Sequence, residues 1–107
     1  MLVKASELSR GDKLWLDRRR RRENQATAAK RHRVSIVLYR SWERDDEHGP
    51  SVKVGKLAPH EECALVRREE EVTIAEVAEE LGCCRYWVHK MEKGEVDPQD
   101  LLDYWAA

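Results

Sequence analysis

Residues 72–105, VTIAEVAEELGCCRYWVHKMEKGEVDPQDLLDYW, are cut into helix-length pieces by their own start and stop signals. Thr73 with Glu76 three residues on forms a capping box, which opens a helix predicted to run through Leu81. Gly82 follows, where a chain leaving a helix through a tight turn needs positive φ. A further helix is predicted over residues 84–93, stopping at Gly94. Asp97-Pro98 then supplies a cap and a proline for the first turn of another, which carries Leu101, Leu102 and Trp105 on one apolar face. Upstream, Pro59 stands in a helix-starting position, with Glu61 and Glu62 in a first turn that favours carboxylates. The C-terminal half is therefore expected to be four short helices. Charged residues make up 38% of the chain and aromatics 7%, with no Phe, so its core has to come mainly from Leu, Val, Ala and the four Trp.

The N-terminal half reads differently. Residues 4–10 predict one or two helical turns with Ser6 as cap, broken at Gly11-Asp12. A short strand is expected over residues 13–17. Residues 18–33 are mostly basic and polar, with a helix-favouring island at 26–29 that has no apolar face, and are expected to form a mobile loop or arm. The run RVSIVLYRSW, residues 33–42, is rich in β-branched and aromatic residues and partly alternates, as a half-buried strand does. Residues 51–56, SVKVGK, alternate too and are expected to pair back on it. The expected fold class is α+β: a small N-terminal antiparallel β subdomain with an Arg-rich loop (residues 1–57), followed by the four-helix subdomain (residues 58–107).

The net charge of −1 hides a strong asymmetry. Residues 1–42 hold 12 Lys and Arg against four Asp and Glu, and residues 43–107 carry −9. Such a split points to a polyanionic partner for one end, or to attraction between the halves. Cys63, Cys83 and Cys84 do not form a C-x-x-C pair, and adjacent cysteines rarely bridge, so all three are expected to be reduced thiols. The four His show no metal-ligand spacing, and neither a Gly-rich phosphate loop nor a nucleophile beside a base is visible. No enzymatic activity, metal or cofactor is expected. No apolar run approaches the ~20 residues that span a bilayer, and MLVKASELSRGDK lacks a signal-peptide core. A cytoplasmic protein is expected.

The stretch from Val72 to Trp105 resembles the helix-turn-helix of the phage Cro and cI repressors and their bacterial Xre-like relatives, over roughly residues 60–105. Ala78 stands where the two helices cross, Gly82 makes the turn, Val77, Leu81, Val88 and Met91 fill the wedge between helices, and Glu92 followed by Gly94 matches the end of the recognition helix. The resemblance implies an ion pair between Arg67 and Glu92. It implies that the helix starting near Cys84 lies in the major groove, with Arg85, Tyr86 and Lys90 as first candidates for base contacts. Trp87, His89 and Lys93 follow for the DNA backbone, Trp87 being equally a core candidate, and Thr73 is counted with them. Where such repressors commonly carry Gln near the start of the second helix, this chain has Ile74.

Because 13 acidic residues oppose five basic ones in residues 58–107, the N-terminal region is expected to supply the counter-charge for phosphate, through Arg18, Arg19, Arg20, Arg21, Arg22, Lys30, Arg31 and Arg33. The function so implied is a sequence-specific double-stranded-DNA-binding transcriptional regulator of phage or bacterial type, a repressor, working as a homodimer through Tyr104 and Trp105 or a sheet edge. Membranes and small-molecule substrates are not expected partners. Two other readings stand beside it: a protein-interaction module with an acidic surface, and an RNA binder using the Arg-rich arm.

Overall fold

Residues 33–42 coil rather than extend. The computed structural model describes residues 2, 7–44 and 48–107, and among these the regular elements are seven helices with no strand. They are α1 (Arg10–Arg20), α2 (Gln25–Arg31), α3 (Ile36–Arg44), α4 (Pro59–Glu69), α5 (Ile74–Leu81), α6 (Arg85–Glu92) and α7 (Gln99–Ala106). The expected α+β class and its N-terminal β subdomain are thus overturned. The expected strand at 13–17 lies inside α1, the one at 33–42 largely forms α3, and residues 51–56 are irregular. The expected loop at 18–33 is the end of α1, a turn and α2. Of the helical turn expected at 4–10, residues 4–6 with the Ser6 cap lie outside the described residues; Gly11-Asp12, expected to break it, instead lies in the first turn of α1, which Ser9 caps.

The reason lies in which side chains are buried. In α3, Tyr39 and Glu43 are buried and Ile36 and Trp42 partly so, a spacing of three and four that only a helix brings to one face, whereas Val37 and Leu38 point outward. β-branched composition is a weak preference that packing overrides. The island at 26–29 likewise does have a core face, because Ala28 and Ala29 are fully buried.

The chain divides into two compact units, one of Ala5–Lys56 and one of Met1–Lys4 with Leu57–Ala107. In the first, Leu14, Ala28, Ala29 and Tyr39 form the core, flanked by Val34, Ile36, Trp42 and Val52. In the second, Cys63, Val77, Ala78, Val88, Met91 and Leu101 do so.

The two units repeat each other in step. Helices α1, α2 and α3 begin at Arg10, Gln25 and Ile36, and α4, α5 and α6 at Pro59, Ile74 and Arg85, a constant offset of 49 in the numbering. Asn24 caps α2 by accepting from Thr27 N–H at 2.8 Å, and Thr73, at the matching position, caps α5 by accepting from Glu76 N–H at 3.1 Å. Left-handed residues recur at the same offset: Arg22 and Glu71 at φ 56°, Arg33 at 60° and Gly82 at 69°. Buried Leu14, Ala28, Ala29 and Tyr39 match buried Cys63, Val77, Ala78 and Val88.

The same holds for the polar groups. Arg18 Nε donates to Glu43 Oε2 at 2.7 Å and its Nη1 to Glu23 O at 3.2 Å; Arg67 Nε donates to Glu92 Oε2 at 2.7 Å and its Nη1 to Val72 O at 3.2 Å. The Glu43 and Glu92 side chains are only 3% and 1% exposed. A lone carboxylate there would cost several kcal/mol in lost hydration, so each two-pronged arginine is what permits the burial. It ties the last turn of one helix to the end of another in both units.

They part after the third helix. The second unit adds α7, whose Leu101 seals the core, while the first has no further helix among its described residues and places Val52, which matches Leu101 in the repeat, against its core. Bulk replaces the missing helix. Tyr39 stacks on His32 at 5.7 Å between centroids, and Trp42 meets both rings edge-on, at 6.0 Å from His32 and 6.2 Å from Tyr39, where the second unit has Val88, Leu81 and Met91. Gly11 lets α1 pass close to α3, since a Cβ there would collide with the Glu43 carbonyl oxygen.

Candidate nucleic-acid interface

The site is built on α5, the Gly82 turn and α6. Gly82 takes the left-handed conformation that ends α5, and Cys83 N–H closes the turn on Ala78 O at 3.0 Å. Val88, Met91 and Glu92 hold the inner face of α6, all three buried. The outer face is thereby fixed. Arg85, Tyr86 and His89 are exposed on it, Lys93 is exposed just past its end, and Lys90 is half-buried with its Nζ 5.0 Å above the Tyr86 ring. Arg67 and Glu92, expected to pair, lie 2.7 Å apart, so α6 is clamped to α4 at its last turn.

Trp87 is 42% exposed and turns from that face toward α7, where it walls an open cavity of about 480 Å³ together with Leu81, Cys83, Met91, Asp100, Asp103 and Tyr104. Thr73 is exposed, but its hydroxyl is already used to cap α5. Burial, then the nearby Glu92 and Glu62, push the Cys63 thiol up to about 12, and burial raises Cys83 as well. Both thiols are held protonated and poorly nucleophilic. Among the described residues no three His, Cys, Asp or Glu gather as a metal site, and no helix is long and apolar enough to cross a membrane.

The expected arginine arm is folded into the first unit. Arg18 points inward at Glu43, Arg19 lies 4.6 Å over the Trp15 ring, and Arg20 donates to Val54 O and to Lys56 O. Arg21 pairs with Asp17 at 3.1 Å, and Arg31 bridges Glu23 at 2.9 Å and Asp17 at 3.3 Å. Arg22 is exposed in the turn before α2.

Residues not anticipated from the sequence lie on α2 and α3. Gln25 occupies, in the first unit, the place that Ile74 takes in the second. Its Nε2 donates to Glu43 Oε1 at 3.2 Å and its Oε1 accepts from Arg40 Nε at 3.1 Å, so it braces α3 against α2. Val37, Arg40, Ser41 and Arg44 succeed one another along α3 at helical spacing. One signal in the sequence could have led to them: the separation of Arg18 from Glu43 equals that of Arg67 from Glu92. Compared with family models, with curated proteins and with solved structures, the chain matches none.

Proposed function

We propose that this protein is a sequence-specific double-stranded-DNA-binding transcriptional regulator, a repressor, that lays α6 in the major groove. The observation carrying this reading is the outer face of α6. Arg85, Tyr86 and His89, with Lys93 at its C-terminal cap, stand exposed on a short helix whose inner face is locked by a buried core and the Arg67–Glu92 pair. Donors fixed in direction are what base recognition requires, because each misplaced hydrogen bond leaves a desolvated polar group unpaired. Arg85 suits guanine acceptors, Tyr86 a phosphate or a base, and Lys90, held over Tyr86, a phosphate.

A second reading is favoured by the charge of the same unit, in which Glu69, Glu70, Glu71, Glu79 and Glu80 are exposed: a module that binds a basic protein partner through its acidic faces. Selection of bound duplexes from a random pool separates the two. The full chain should enrich a defined motif, and Arg85→Ala with Lys90→Ala should abolish or relax it. Equal retention of every duplex, unchanged in the variant, would sink the DNA reading.

A further inference from the structure

We infer that the Ala5–Lys56 unit carries a second duplex-DNA-reading face, centred on α3, so that a single chain recognises a bipartite site of two unlike elements. This rests on the proposed DNA reading of α6 and goes beyond it. Within the internal repeat, α3 is held as α6 is held: by the same arginine–glutamate clamp, the same left-handed turn and the same buried positions.

What α3 leaves uncovered also agrees. Val37 is 71% exposed and Leu38 44%, against 66% for Tyr86 and 42% for Trp87 at the matching positions. Arg40 matches His89, Ser41 matches Lys90 and Arg44 matches Lys93. Large apolar side chains in the first turn of an amphipathic helix, where folding does not use them, mark a surface that something else covers.

Charge decides what that is. The Ala5–Lys56 unit holds 14 Lys and Arg against eight Asp and Glu, whereas residues 57–107 hold five against 13. Several of those carboxylates are already paired with Arg18, Arg21 and Arg31 or used in the α1 cap, and Arg22, Arg33, Arg40 and Arg44 are exposed. A cationic surface with a small apolar patch fits a phosphate-walled groove, in which Val37 can meet a thymine methyl and Arg40 or Arg44 a phosphate or a guanine edge. Gln25 fixes Arg40 and the end of α3 in place, as Ile74, without a hydrogen-bonding group, cannot do for α6.

The two faces differ in every outward side chain, so the elements they read differ too. The pair of half-site readers that an identical-subunit dimer would supply is present in one chain, and the target need not be palindromic.

The test is duplex selection with the full chain, with Val37→Glu plus Arg44→Glu, and with Arg85→Ala plus Lys90→Ala. All changed side chains but Lys90 are exposed, and retained helical circular dichroism checks the fold. A motif of two elements, one erased by each pair of changes with about a tenfold or greater loss in affinity, supports the proposal. A motif lost only in the Arg85 and Lys90 variant overturns it while leaving the α6 reading standing. A motif lost only in the Val37 and Arg44 variant retains α3 as a reader but overturns the two-element site and the role of α6. Unchanged selection combined with dissociation of a dimer in the Val37 and Arg44 variant, seen by sedimentation, overturns it by making α3 a self-association face. Absence of any motif removes the underlying DNA reading and this proposal with it.

Discussion

His32 is a titratable group set among the rings of the first unit. It stacks on Tyr39, meets Trp42 edge-on, and its buried Nε2 has no hydrogen-bond partner among the described residues. Burial first, and Arg31 second, lower its pKa below the ordinary 6.5. The folded chain thus holds His32 neutral, while the unfolded chain takes up the proton near pH 6.5. The associated stability is fully present above that pH and is lost as pH falls below it. Replacing His32 by Leu, the residue at the matching position 81, removes both the titration and the unpaired nitrogen. Urea unfolding followed by circular dichroism should show a shallower loss of stability between neutral pH and about pH 5 in His32→Leu than in the parent. Parallel profiles would mean that His32 takes its proton without penalty.

At the scale of elements, each unit turns from its second to its third helix through one left-handed residue, glycine at 82 but arginine at 33. Holding a residue with a Cβ there costs roughly 1 kcal/mol, and glycine loses part of that advantage through its extra freedom in the unfolded chain. Arg33→Gly should therefore stabilise the first unit by up to about 1 kcal/mol, seen as a higher midpoint in thermal unfolding; an unchanged or lower midpoint would show that the arginine offsets its strain with contacts. The same turn explains what could be read in advance. Thr73, Gly82, Gly94 and Asp97-Pro98 mark their helix ends by residue type, so α5, α6 and α7 are legible in sequence. The matching signals of the first unit are Asn24 and an arginine in place of glycine, set within a run of arginines whose composition suggests a loop. Only six positions between 9–44 and 58–93 are identical when the two stretches are laid in step, among them Arg18 with Arg67 and Glu43 with Glu92. The repeat is thus carried by a buried ion pair and by volume exchanges such as Leu14 for Cys63, which hydrophobic pattern alone does not reveal. On the candidate site, the outward residues of α6 follow from its helical period, but Gln25 and the α3 face emerge only once residues 33–44 are known to coil.

Across the whole molecule the repeat is also a charge reversal. Arg20, Arg21 and Arg22 stand where the second unit has Glu69, Glu70 and Glu71, and Lys30 and Arg31 where it has Glu79 and Glu80. One scaffold has been given opposite fields, and a phosphate backbone discriminates sharply between them. Under the DNA reading, most of the phosphate contacts fall to the first unit, and each contact that is lost removes about 0.9 from the slope of log affinity against log salt. Arg22→Gln with Arg44→Gln, both exposed, should therefore flatten that slope by about 2 in anisotropy titrations of a selected duplex. Glu79→Gln with Glu80→Gln acts on carboxylates that release no DNA counterions, so it should raise affinity without flattening the slope. If the first pair of changes left the slope untouched and the second flattened it, the cationic unit would not be the one that meets the phosphates, and the charge reversal would have to serve attraction between oppositely charged surfaces of this chain or its copies instead.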